Sequence, residues 1–241
     1  MTDAISNRPK RILYADIIRI FAVICVIFIH TNTDGFVHFT TYEVGSGSYW
    51  FYMFFSVTAV VSVPLFFMVS GMFLLDRKDE TITDIWKKRV SKYVVVLLIF
   101  SALHYARNQY FDPSLLSITD FLKRVYTNDV IIPYGFLYSY IAYLIGLPFI
   151  RKMARSLNGK EFLYLVGLQF FFTGAVFMIQ YRLSGGTLSL CNNLRPIFIL
   201  ESVVFYPLTG YYLGRRLKQI TGKMILISLF FLCYPLDPRC I

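Results

Sequence analysis

The chain has 241 residues, of which 56% are hydrophobic and 16% charged, and its formal net charge is +10. A soluble domain runs nearer ~45–50% apolar and ~25% charged, so the composition excludes an ordinary water-soluble globule and points to membrane-spanning helices. The basic residues stand in short clusters between apolar runs, which is the pattern of membrane topology; nucleic acid is therefore not an expected partner.

Seven candidate spans follow from the apolar runs: roughly 12–32, 51–75, 93–111, 131–150, 161–181, 196–214 and 223–236. The expected fold is all-α, a polytopic membrane helix bundle of about seven transmembrane helices. It forms a single membrane-embedded domain over residues 1–241 with no internal repeat. Lys and Arg in alternate connecting segments number 17 against 5, and the richer set includes the N-terminal tail. The N-terminus is accordingly expected in the cytoplasm. The first apolar run is too long for a cleavable signal peptide, lacks a small-residue cleavage site and contains Arg19, so the helix itself is expected to direct insertion.

Within the first span, Asp16-Ile17-Ile18-Arg19 opens a run that closes on His30. Arg19 and His30 are eleven residues apart, about three helical turns plus ~20°, which puts both on one face with a rise of ~16 Å between them. An ionisable group in a membrane helix is costly unless it faces protein or water, so two on one stripe suggest a polar track. His30 can act as a general base, with Asp34 one turn later to orient its ring, or it can simply bond a neighbouring helix. Arg19 can bind a phosphate or carboxylate, or it can snorkel while paired with Asp16.

The first loop carries His38, read as a solvated loop residue, and Gly-Ser-Gly-Ser at 45–48, read as flexible; an interfacial aromatic belt, Tyr49-Trp50-Phe51-Tyr52, follows. Pro64 is expected to kink the second span, and Ser70-Gly71 to permit close helix approach. The stretch 76–92 reads as an amphipathic loop lying on the inner surface. Arg89 and Lys92 at its end either bind anionic groups or serve as positive-inside anchors. His104 and Arg107 share a face near the outer end of the third span and either line a cavity or reach the headgroups. Glu201 lies inside the sixth candidate span, where it binds substrate, pairs with another helix or is protonated.

Four cysteines are present, without CxxC or His/Cys metal spacing, so no metal is expected; Cys25 and Cys233 read as packing residues, and a Cys191–Cys240 pair is conceivable. No P-loop, GxSxG, HExxH or Rossmann glycine set occurs, which argues against a soluble-type hydrolase or ATPase.

Several stretches together resemble the membrane acyltransferase-3 family, the bacterial enzymes that O-acetylate surface polysaccharides. Ala15-Asp16-Ile17-Ile18-Arg19-Ile20-Phe21-Ala22 followed by Val26-Ile27-Phe28-Ile29-His30 is similar to that family's arginine, ten residues, histidine signature. Ser62-Val63-Pro64-Leu65-Phe66-Phe67-Met68-Val69-Ser70-Gly71 resembles its second-helix signature. Lys88-Arg89-Val90-Ser91-Lys92 resembles the basic entry into its third helix, with lysine in place of the usual second arginine. Phe136-Leu137-Tyr138 through Leu147-Pro148-Phe149-Ile150-Arg151 looks like its fourth helix, but Pro133-Tyr134-Gly135 stands where a His-Leu-Trp usually opens it. The segment Tyr206 to Arg215 is similar to a later helix end. Enterobacterial common antigen O-acetyltransferases look nearest among the subgroups.

The resemblance implies an O-acyltransferase of the bacterial inner membrane that uses acetyl-CoA as acyl donor, with membrane lipids and a glycan acceptor, lipid-linked or not, as partners. It implies His30 and Arg19 as catalytic residues; beside it, the residues themselves suggest Asp34 and Asp16 as their supports and Arg89, Lys92, Ser70, Glu201 and Arg107 as candidates for substrate binding. Family members usually carry more spans, so the chain reads as C-terminally truncated. A transporter or flippase of an anionic small molecule, and an inactive truncated fragment, are the alternative readings.

Overall fold

The computed structural model describes residues 13–30, 38–109, 116–130, 132–175, 179, 182–183 and 201–216. All regular structure among them is helical. The chain divides into two compact units, Met1–Ser70 with Lys92–Tyr140, and Gly71–Ser91 with Ile141–Ile241.

The first unit opens with α1, Leu13–His30, an unbroken helix that buries Ala15, Ala22 and Cys25 along one stripe. Small residues on that stripe let a neighbouring backbone approach closely. A 3-10 turn over His38–Thr41 leads to α2, Gly47–Val60. The Gly-Ser-Gly-Ser stretch is a helix start and not a flexible loop. Gly45 takes φ +93, a conformation that disfavours a Cβ, and the Ser46 side chain caps α2 by accepting a hydrogen bond from Tyr49 N at 3.1 Å. His38 is likewise not a solvated side chain. Its ring meets Tyr42 and Tyr52 edge-on at 5.5 and 4.8 Å, beside a core of Phe39, Tyr49 and Met53.

Helix α3, Ser62–Leu74, follows α2 after a one-residue break at Val61. Pro64 has no N–H to give the carbonyl of Val60, so the ladder is interrupted in the turn before it, and Leu65 N reaches Val61 O at 3.0 Å beyond the break. A turn over 75–81 ends at Thr81, whose hydroxyl caps α4, Ile82–Ile85. A π-helical turn, Trp86–Val90, carries α4 into α5, Ser91–Asn108. The third helical span therefore begins at Ile82, inside the stretch expected to lie on the surface, because Ile85 and Val90 are buried and Thr81-Ile82-Thr83-Asp84 is a cap sequence.

Short helix α6, Ile118–Tyr126, is followed by α7, Gly135–Ser156. Phe136 and Tyr140 of α7 pack on Phe67 of α3 in the first unit. In the second unit, α7 buries Tyr143, Leu144, Leu147, Ile150, Arg151 and Ala154, a helical stripe carrying one charge. Helix α8, Gly159–Phe170, starts from a reciprocal cap in which Asn158 Oδ1 accepts from Glu161 N and Glu161 Oε2 accepts from Asn158 N. Helix α9, Ser202–Tyr211, passes Gly71 so closely that a Cβ there would collide with the backbone of Pro207. Ser70-Gly71 thus marks a close approach, as its composition suggests.

Among the described residues, three helical stretches are long and apolar enough to cross a membrane: Leu13–His30, Gly47–Leu74 and Ile82–Asn108. The candidate span 223–236 lies outside the described residues.

Candidate functional site

Because α1 is helical throughout, the spacing of Arg19 and His30 holds in three dimensions. The two lie ~20° apart and about 60–80° round the helix from Ala22 at the centre of the buried stripe. They flank the packed seam and do not sit in it, and both residues are exposed. Arg19 Nη1 donates to Asp16 Oδ1 at 2.9 Å, with side chains 44% and 43% exposed. This is the i−3 pair expected of an arginine at the end of a membrane span. His30 makes no hydrogen bond to another described residue, and its side chain is exposed. Asp34, the expected partner of His30, lies outside the described residues.

A second polar cluster lies in the second unit, where the turn 75–81 meets α7. Arg151 is 1% exposed. Its Nε donates to Leu74 O at 2.9 Å, Nη1 to Lys78 O at 3.4 Å and Nη2 to Glu80 Oε2 at 2.8 Å. The other side of Glu80 receives Arg89, with Nε on Oε2 at 3.1 Å and Nη2 on Oε1 at 2.7 Å. One turn along α7, Arg155 clasps both oxygens of Asp79 and the carbonyl of Arg77. Hydrogen bonds from Arg89, then those from Arg151, hold the Glu80 carboxyl at about 2 against the opposing effect of its burial. Arg89 and Arg151 together carry two positive charges over one carboxylate.

A third cluster lies in the first unit. His104 Nδ1 and the Tyr134 hydroxyl are 2.9 Å apart, and that hydroxyl also reaches Phe100 O at 3.4 Å. Tyr105, one residue on, accepts from Ser117 N and donates to Asp120 Oδ2. Arg124, then Tyr105, lower the Asp120 carboxyl below the usual carboxylate range. Ser70 Oγ and Tyr140 OH are 2.9 Å apart, and Tyr93 packs on the same Tyr140 ring at 4.8 Å.

A family model described as an acyltransferase domain, that of acyltransferase-3, matches residues 12–235. The chain belongs to the acyltransferase-3 family. It is an acyltransferase, and with its three apolar helices a membrane protein. No curated protein matches significantly. No solved structure does either.

The structure of this acyltransferase separates the sequence candidates into groups. Arg19, His30 and Asp16 share α1. Arg89 is held against Glu80, so it is an ion-paired residue and not a free anchor. Lys92 and Arg107 are exposed. His104 turns to Tyr134, while Arg107 shares its helix face. Glu201 stands at the cap position before α9, exposed and extended at φ −62, ψ 145, and not inside a helix.

Glu80 and Arg151 were not singled out by the sequence. They lie 71 residues apart, and no periodicity links them. One signal was present: Arg151 falls seven residues after Leu144, four after Leu147 and three before Ala154, on the apolar stripe of α7. A charge on an apolar stripe calls for a buried partner.

Proposed function

We propose that this acyltransferase moves an acetyl group from acetyl-CoA to a hydroxyl of a cell-surface polysaccharide or its lipid-linked precursor, as a multi-pass protein of the bacterial inner membrane with its N-terminus in the cytoplasm. The observation that carries this reading is α1: one unbroken helix that presents a guanidinium and an imidazole on the same flank. His30 takes the proton from the acceptor hydroxyl, and the oxygen attacks the thioester carbonyl. The carbon–sulfur bond breaks, and the imidazolium returns the proton to the leaving thiolate. Arg19, nearer the cytoplasmic end, is one candidate for the anionic groups of the donor, and Arg89 is another. The ~16 Å rise between Arg19 and His30 suits an extended thioester arm reaching from one to the other.

Two features support the division of roles. The imidazole is open at the end of α1, so a hydroxyl can approach it without displacing a described side chain. The surplus positive charge at Arg89 stands in a segment whose Lys and Arg content marks it as the inner side. Mass spectrometry of the surface glycan tests the reading. A strain without this protein should lose an acetyl group from the glycan and regain it on complementation. A glycan of unchanged mass in the deletion strain would overturn the assignment.

A further inference from the structure

We infer that Glu80 and Arg151 are positioning residues: together they set the guanidinium of Arg89 in a fixed plane for a phosphate-type group of the acyl donor, an inference that rests on the role given to Arg89 above.

The hydrogen bonds divide the labour between the two arginines. Each of the three nitrogens of Arg151 has an acceptor, two of them backbone carbonyls, and the side chain is buried. At 1% exposure it is out of reach of a ligand. Arg89 is different. It spends Nε and Nη2 on Glu80, its Nη1 has no partner among the described residues, and its side chain is 17% exposed. The pair of guanidiniums exceeds the single carboxylate by one positive charge, and of the two side chains only that of Arg89 keeps some exposure and a nitrogen without a described partner.

An arginine bound through two nitrogens to one carboxylate cannot swing, because the fork geometry fixes the plane of the group. The carboxylate must itself be fixed for this to matter. Arg151 does that by holding Oε2 of Glu80 together with two carbonyls that precede it, Leu74 at the end of α3 and Lys78 in the turn. Arg155 secures the same turn through Asp79 and Arg77. A rigid turn thus hands its order to α7 on one side and to Arg89 on the other. Anion recognition by Arg89 gains because its rotamer entropy is already spent before the ligand arrives.

The test is steady-state acetyl transfer by the purified full chain in detergent, varying acetyl-CoA and acceptor separately, beside the thermal midpoint of each protein without donor. Arg89→Ala sets the reference. Glu80→Gln, which keeps the shape of the side chain, should raise the donor KM about tenfold while acceptor KM and kcat stay within about twofold. Arg151→Lys, which keeps the charge but loses the fork, should raise donor KM by a smaller factor. The double variant should raise it no more than Glu80→Gln alone, because Arg151 acts through Glu80. A fall in thermal midpoint with donor KM unchanged would make the cluster merely structural and overturn the inference. A lower donor KM in Glu80→Gln would also overturn it, by showing that the carboxylate competes with the donor. If Arg89→Ala itself leaves donor KM unchanged, the assignment of Arg89 fails first. If it raises donor KM and the Glu80 and Arg151 variants do not, only the positioning role fails.

Discussion

Arg19 and Arg151 carry the same guanidinium in opposite settings. Arg19 lies on an exposed flank of α1 and pairs with the Asp16 carboxylate a turn away, both side chains about two-fifths exposed. Arg151 is buried on α7 with three acceptors, two of them carbonyls of a turn more than 70 residues earlier. An exposed pair contributes little to stability and can exchange its carboxylate for a ligand. A buried charge is too costly to leave unpaired, so its partners become part of the architecture. Exposure separates these two settings of the same group.

Removing one side of the buried pair should break the comparison most sharply. Arg151→Met leaves Glu80 with Arg89 alone and strips Leu74 and Lys78 of their donor. It should cost about 3–5 kcal/mol of stability, read as a fall in the denaturation midpoint of the solubilised protein. Filling the close approach beside this region should cost less. Gly71→Ala places a methyl against the Pro207 backbone, which cannot turn aside as a side chain can, and should destabilise by about 1–3 kcal/mol in the same assay.

Acid provides a graded version of the first test. Glu80 titrates at about 2 in the folded chain against an ordinary 4.5. Its carboxylate therefore stabilises the fold fully above pH 4.5, and that contribution fades as pH falls from 4.5 toward 2. Wild-type protein and Glu80→Gln should differ in unfolding midpoint by a constant amount from pH 7 to pH 5, and the difference should shrink below that. The smallest effect belongs to the exposed pair: Asp16→Asn should change stability by less than about 1 kcal/mol, less again in high salt.

The parts of this molecule that the sequence reveals are those set by local physics. The apolar run of α1 fixes a helix and so the shared flank of Arg19 and His30. Pro64 interrupts its ladder within one turn, and Gly71 meets a backbone where a small residue was expected to. The caps at Thr81 and Asn158 were also local, each with an acidic residue three positions on, and they explain why α4 and α8 start where they do. Ser46 was harder to read, since Gly-Ser-Gly-Ser suggests a linker until the Ser46 cap and the core of Phe39, Tyr49 and Met53 are seen together. The bond from Arg151 to Glu80 was not legible, because the pairing depends on tertiary structure. The exposed position of Arg19 and His30 was not legible either: periodicity shows that two residues share a face, but not what that face meets.

In the proposed mechanism the exposed imidazole of His30 on α1 performs the proton transfer. Initial rates of labelled acetyl transfer by purified wild-type and His30→Ala proteins with matched thermal midpoints test it most directly. A fall of about 10²–10⁴-fold in kcat without loss of folded protein is the expected result. A His30→Ala protein that transfers acetyl at the wild-type rate would contradict it.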